Sequence, residues 1–351
     1  MLFRSASTGP EPSSELAAPV SPPTPTATAA PDWRTAPLVL PGGLTLISAS
    51  WATRPARGYV LDRAQGRYVE IGGDHDRVWP SPRGDVVAVR DDDRPDEVGL
   101  LEPRSGTVRW VRTGPVILSP QWSPDGTRLL VTLLSKESGA LSFGVLTSAG
   151  SFRRLPVREG TGCTDRCRFT WLPNGEEVAL PHSSELVVRR ESEPHQRRGL
   201  VVFSVHDGTR TRFVPARGDV AGPAAWSPRG HFVVVDAAGS PQLVMVESGE
   251  VITTELPSAD VTWVGDNLVY LDLAGDPPQA VLVNPRGVEI TRQSLPAQLS
   301  QADEVVLGPL SGHANPVRPP TPEWLPGSGA PGAPAQSGAG SLPVDEATPP
   351  R

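Results

Sequence analysis

The chain has 351 residues with 41 Pro, 35 Gly, 9 Trp, 2 Met and 2 Cys, and its 32 Lys+Arg against 39 Asp+Glu give a formal net charge of -7. No run of about 18 apolar residues exists to span a membrane as a helix, two cysteines cannot build a disulfide-rich scaffold, and an acidic chain lacks the basic face that nucleic acid requires. Pro and Gly at this level are hostile to helix interiors, which leaves turn-rich all-β structure, disorder, or both.

Residues 1–36 are dominated by Pro, Ala, Ser and Thr, with the run Ser21-Pro22-Pro23-Thr24-Pro25-Thr26. Such a segment cannot bury enough apolar surface to offset the entropy of ordering it, and a disordered linker is expected. Met1-Leu2-Phe3-Arg4 is too short for the apolar core of a signal peptide. A Pro/Thr/Ala stretch ahead of a folded body has the look of a stalk beyond a membrane anchor, so a start truncated downstream of a signal or anchor is expected.

From residue 37 to 311 two hairpin patterns alternate. In the first, an apolar or aromatic anchor precedes a Pro-x-Gly type turn and an apolar strand. It occurs at Trp79-Pro80-Ser81-Pro82-Arg83-Gly84, Trp122-Ser123-Pro124-Asp125-Gly126, Trp171-Leu172-Pro173-Asn174-Gly175 and Trp226-Ser227-Pro228-Arg229-Gly230. A looser copy is Trp263-Val264-Gly265-Asp266-Asn267, and Pro41-Gly42-Gly43 is a copy without Trp. Pro presets φ in such turns and Gly supplies the positive φ that other residues resist. In the second pattern, two β-rich runs flank a residue-Gly turn, at Gly66, Gly106, Gly150, Gly208, Gly249 and Gly287.

Each pattern has six copies, and the period is near the 40–45 residues of a propeller blade. Two hairpins per repeat make four antiparallel strands. The predicted fold is therefore all-β, a six-bladed β-propeller of four-stranded antiparallel blades. The first repeat begins at its second strand, near Gly43. Val305-Val306-Leu307-Gly308-Pro309-Leu310 resembles Val116-Ile117-Leu118-Ser119-Pro120-Gln121, the inner strand of another repeat. Closure by pairing N- and C-terminal strands follows, with Leu38-Val39-Leu40 as a competitor for the same edge. Residues 312–351 are Pro/Gly-rich and read as a disordered tail, in which Trp324 is a solvated aromatic.

The Trp-Ser-Pro-Asp-Gly motif at Trp122–Gly126 and its cousins at Trp171 and Trp226 resemble the repeat of TolB-type, WD-repeat-like bacterial propellers. The resemblance covers essentially the whole body. It implies an envelope-facing, non-catalytic binding protein. Related propellers gate prolyl-oligopeptidase-like enzymes, but residues 313–351 are too short and too Pro/Gly-rich to be expected to form a hydrolase domain. The matched residues are structural, so no functional residue carries over, and one fold hosts many activities.

The candidate sites lie in the longer connections, on the face opposite the tight turns. Asp91, Asp92 and Asp93 form an acidic loop without the Gly and spacing of a calcium loop, and read as solvated. Pro181–Gly199 is the longest insertion, and its Arg189, Arg190, Arg197 and Arg198 could grip an acidic partner or stay solvated. Cys163 and Cys167 bracket three residues. Zinc would need two more ligands, and in an oxidising compartment a small disulfide is expected. No Gly-x-Ser-x-Gly elbow, metal set or cofactor-binding motif is found.

The expected function is a non-catalytic binding or scaffold propeller, a monomer at the cell envelope, which engages a protein or peptide through its long-loop face or channel mouth. The alternatives are a propeller enzyme, a lyase or glycan-active, with acid/base groups at the channel mouth, and a cytoplasmic scaffold.

Overall fold

The computed structural model describes residues 32–53, 56–71, 73–135, 137–157, 167–183 and 197–310. Successive antiparallel hairpins form six sheets. Blade 1 contains β1 (Leu44–Trp51), β2 (Arg57–Asp62) and β3 (Arg67–Glu70); blade 2 contains β4 (Arg77–Pro80), β5 (Val87–Arg90), β6 (Glu97–Leu101) and β7 (Val108–Arg112). Blade 3 contains β8 (Val116–Trp122), β9 (Arg128–Leu134), β10 (Leu141–Thr147) and β11 (Phe152–Pro156). Blade 4 contains β12 (Thr170–Trp171), β13 (Glu177–Ser183), β14 (Arg197–Ser204) and β15 (Arg210–Val214). Blade 5 contains β16 (Phe232–Asp236), β17 (Pro241–Met245) and β18 (Val251–Thr253), and blade 6 contains β19 (Val261–Val264), β20 (Asn267–Asp272), β21 (Gln279–Val283) and β22 (Glu289–Ser294). The last strand, β23 (Glu304–Pro309), returns to blade 1, whose strand order is β23-β1-β2-β3.

The six-bladed, all-β expectation therefore holds, and so does closure by the two ends. β23 runs antiparallel to β1 from Leu44↔Pro309 to Ser50↔Glu304. Leu38–Leu40 does not displace it. That segment folds back on the start of β1 through the bridge Val39↔Thr45, where β2, paired only with Ser48–Trp51, does not reach.

Two details differ from the sequence reading. Blade 5 has three strands rather than four. Its inner position is held by two isolated bridges, Asp219↔Asp236 and Trp226↔Val233, around the 3-10 turn Pro223–Ala225. Pro223 has no N–H to give to a ladder, which interrupts the strand. The ordered body also starts before residue 37: Trp33–Thr35 form a 3-10 turn. Trp33 packs edge-on against Tyr59 and Tyr68, with ring centroids 5.8 and 4.8 Å away, and those aromatic contacts hold the turn to blade 1. Trp324 and the tail lie outside the described residues.

The turn chemistry explains why the hairpins form. In the Trp122 motif the Ser123 hydroxyl accepts from the Arg128 amide at 3.0 Å, and Asp125 accepts from the Thr127 amide at 3.1 Å. Gly126 takes φ 69°, the left-handed region that a side chain resists. Each turn delivers an apolar strand into the packing between blades. Between blades 3 and 4 the core holds Phe143, Phe169, Trp171 and Phe203; between blades 6 and 1 it holds Leu46, Ile47, Val269 and Leu299.

Three tryptophans tie blades 3, 4 and 6 to their predecessors. The indole Nε1 of Trp122 donates to the Trp79 carbonyl at 2.7 Å, that of Trp171 to the Gln121 carbonyl at 3.1 Å, and that of Trp263 to the Ala225 carbonyl at 3.1 Å. Trp122, Trp171 and Trp226 are 5%, 0% and 2% exposed, as expected for anchors between blades. At the closure, the Arg63 guanidinium donates to the carbonyls of Pro309 and Leu310 on the C-terminal strand and to those of Pro82 and Arg83 in the next blade's turn.

Replacing Trp171 with Ala removes a fully buried anchor and its indole hydrogen bond, and is expected to lower stability by about 3–5 kcal/mol. Chemical denaturation of the variant measures this; a change under about 1 kcal/mol would remove Trp171 from its structural role.

Candidate functional site

In a four-stranded meander the first and third turns of each blade share one face. On that face, arginines clasp blade 2 to blade 3 and blade 3 to blade 4. Arg128, at the start of β9, lies over the Trp171 ring, 5.2 Å from its centroid. It donates to the Gly175 carbonyl at 2.6 Å and to Glu176 Oε1 at 3.1 Å. On the outer strands, Arg109 donates to the Ser148 carbonyl at 2.8 Å and Arg153 to the His206 carbonyl at 2.9 Å, each in the following blade.

The same two places in blade 4 hold different chemistry. The backbone bonds Ser123 N to Arg128 O, Leu172 N to Glu177 O and Ser227 N to Phe232 O put Arg128, Glu177 and Phe232 in register. The pairs Leu100↔Arg109, Val145↔Arg153 and Val202↔Arg212 do the same for the outer arginines. Glu177 is too short to cross to blade 5 and carries the opposite charge to Arg128. It accepts from Asn174 at 3.0 Å, from the Thr211 hydroxyl at 2.7 Å and from Arg212 at 3.0 Å. Arg212 is thereby held on its own blade.

The consequence is a cleft. A cavity of about 860 Å³ lies between blades 4 and 5, lined by both Pro-x-Gly turns, Glu177, Arg212, Phe213, Trp226, His231, Met245 and Glu247. A side chain at Gly126 would meet Arg83, at Gly175 it would meet Arg128, and at Gly230 it would meet nothing within 4 Å. The indole Nε1 of Trp226 is buried without a hydrogen-bond partner, unlike those of Trp122, Trp171 and Trp263. Phe213, on the rim, is 40% exposed. An aromatic, partly apolar recess with a few polar groups is the form small-ligand and peptide sites take.

The residues expected to form sites lie elsewhere. Asp91 pairs with His75 at 2.9 Å, and the Asp92 amide donates to Asp76 at 2.7 Å while its carboxylate accepts from Arg90 at 3.2 Å. Asp93 is exposed on the same loop. Arg197 is not a surface grip: its side chain is 6% exposed and bonds Asp219 at 2.9 Å and Ser183 at 3.2 Å, joining blade 4 to blade 5. The need to hold these two blades on the long-loop side accounts for its burial. Arg198 is exposed. Arg189, Arg190 and Cys163 lie outside the described residues. Cys167 is buried and disulfide-bonded. Among the described residues no group of three or more His, Cys, Asp or Glu is placed to hold a metal ion.

A second feature sits at the opposite face, where the inner strands begin. Asp260 immediately precedes β19 and Glu304 opens β23. Burial raises the Asp260 carboxyl, and burial followed by the charge of Asp260 pushes the Glu304 carboxyl up to about 7. Asp260 is exposed and Glu304 half-buried, so both remain reachable by water. The cleft residues and this pair escaped the sequence reading. The signal for the cleft was present: two positions after the turn Gly, blade 3 has Arg128 and blade 4 has Glu177.

No protein-family model matches the chain, and no curated protein matches it. Among solved structures it is similar to TolB from Acinetobacter baumannii, with a TM-score of 0.51 and 16% identity over 77% of this chain and 68% of that one. It also aligns with Kuenenia stuttgartiensis hydrazine synthase at a TM-score of 0.36 and 15% identity, over 60% of this chain and 64% of that one. The TolB likeness supports a TolB-like propeller fold.

The raised Glu304 value sets a pH dependence. The folded chain holds this proton up to about pH 7, whereas the ordinary value is 4.5. Its contribution to stability is complete below the ordinary value and is lost as pH rises through about 7. Glu304→Gln is expected to flatten the fall in unfolding midpoint between about pH 5 and pH 8 relative to the unmodified chain. Parallel profiles would contradict the assignment.

Proposed function

We propose that this protein is a non-catalytic binding propeller of the cell envelope, which engages a protein or peptide through the cleft between blades 4 and 5. The observation that carries this reading is the cleft itself. The clasp that closes the junction between blades 3 and 4 is replaced by Glu177 and Arg212, which turn back on their own blade. The cleft opens on the tight-turn face rather than on the long-loop face where the sequence directs attention. The envelope location draws support from the disulfide-bonded Cys167, since such bonds persist in oxidising compartments, and from the TolB-like fold.

A peptide library displayed against the full chain tests the reading. Selected peptides are expected to lose binding on Trp226→Phe or Glu177→Arg and to keep it on Asp93→Asn. Selection that ignores the cleft substitutions and responds to Asp93→Asn would move the site to the long-loop face. For the compartment, thiol labelling of the native, unreduced protein from its source cells is expected to find neither Cys163 nor Cys167 reactive. Two freely labelled thiols would remove the support for export.

The enzyme reading rests on one observation, the coupled Asp260 and Glu304 carboxyls. Its test is glycan cleavage or elimination activity that disappears in Glu304→Gln.

A further inference from the structure

We propose that the outer strands of blades 2, 3 and 4 form a docking surface for an acidic segment of a partner polypeptide. This goes beyond the cleft and stands without it. Strand β7 reads Val-Arg-Trp-Val-Arg, β11 reads Phe-Arg-Arg-Leu-Pro and β15 reads Arg-Thr-Arg-Phe-Val. Each carries two arginines and one aromatic residue, and none carries a carboxylate. The outer strands of the other three blades are balanced or uncharged: Arg67 with Glu70 in β3, no charge in β18, and Glu289 with Arg292 in β22. A chain of net charge -7 thus gathers arginines along one arc of its rim, and all six are exposed.

The fold cancels only part of this charge. Arg112 pairs with Asp96 at 3.4 Å and Arg212 with Glu177 at 3.0 Å. Arg109 and Arg153 clasp the following blade, but the oxygens they meet are carbonyls: Arg109 donates through Nη2 to Ser148, and Arg153 donates to Val205 and His206. Arg109 also packs against Gly150, where a Cβ would stand 2.7 Å from the arginine Cζ. Arg154 donates through Nε to the Ser142 hydroxyl at 3.2 Å, within its own blade. Neutral acceptors hold these guanidiniums in place without cancelling their charge. Nε and Nη1 of Arg109, and both Nη atoms of Arg154, donate to nothing among the described residues.

An acidic polypeptide fits this arc. A guanidinium accepts a carboxylate in a bidentate fork, and one already held by the fold loses little further freedom in doing so. Trp110 and Phe152, half-buried, and Phe213, exposed, lie among the arginines and offer apolar contact to the side chains between the carboxylates of a polypeptide. A few uncancelled arginines on an acidic chain are too sparse for nucleic acid, whose closely spaced phosphates require a continuous basic face. Arg212 and Phe213 also line the cleft, so a segment bound along the arc runs up to its rim.

The test uses the full chain and a rhodamine-labelled peptide of alternating Glu and Gly, long enough to cross blades 2 to 4, with its Gln-Gly counterpart, titrated by fluorescence anisotropy. The Glu peptide is expected to bind saturably, to weaken as salt is raised, and to bind at least about tenfold more tightly than the Gln peptide. Arg154→Gln disturbs no contact with a neighbouring blade and is expected to weaken binding about twofold to fivefold. Adding Arg109→Gln is expected to bring the loss to about tenfold; because Arg109 is also a clasp, its unfolding midpoint is measured alongside, and Arg154→Gln decides if the double variant is unstable. Arg286→Gln, an equal loss of charge on an exposed turn of blade 6, is expected to leave binding nearly unchanged. Absence of saturable binding, equal binding of the Gln peptide, or a response to Arg286→Gln as large as that to Arg154→Gln overturns the proposal. An oligothymidylate that binds more tightly than the Glu peptide and displaces it would give the arc to nucleic acid and overturn the proposal as well. Binding lost on Trp226→Phe but not on Arg154→Gln would place the acidic peptide in the cleft, overturning the arc and leaving the cleft reading intact.

Discussion

Blades 3, 4 and 6 of this propeller each lean on the one before through an indole N–H pointed at a backbone carbonyl. The contact is small, but it determines much else. In blade 4 it holds Trp171 under Arg128, which also reaches the Gly175 carbonyl of the Pro-x-Gly turn. The bond is made at Trp122, Trp171 and Trp263 and is missing at Trp226. A buried indole N–H without a partner carries a desolvation cost of about 1–3 kcal/mol. The junction that carries this cost is the one with the cleft.

The cleft coincides with a carboxylate in blade 4, Glu177, at the register where blade 3 carries Arg128. With Arg128 at the start of β9, the side chain crosses to the next blade. With Glu177 at the start of β13, the side chain instead captures Arg212, which would otherwise follow Arg109 and Arg153 across the gap. Both clasps fail together because each one's partner is the other. Blade 4 remains attached on the opposite face through Arg197 and Asp219, so the ring stays closed while one seam opens on one side. The three-stranded blade 5, with Pro223 breaking its inner strand, stands on the same seam.

The architecture was legible because the repeat writes its turns in residues with strong backbone preferences. Trp-Ser-Pro-Asp-Gly forces a hairpin wherever it occurs, and six alternations of two hairpins leave few folds. The likeness of Val305–Leu310 to Val116–Gln121 was enough to locate the closing strand. Legibility fell where a property depends on contacts between blades. Arg197 reads as a surface cation until Asp219 and Ser183 are placed around it. Asp260 and Glu304 are separated by 44 positions in the chain, and only the ring brings them into electrostatic contact. The cleft needed both levels: the residue types are visible in the motif copies, but the register that makes Arg128 and Glu177 equivalent comes from the strand pairing.

Native-state hydrogen exchange, resolved by residue, tests most directly the claim that this seam is the weak one. The account predicts that β16, which faces the cleft, exchanges through a local opening of lower free energy than β12 and β13, which face the intact clasp of Arg128 and Trp171. Equal protection on both sides, or lower protection at the junction between blades 3 and 4, would contradict it.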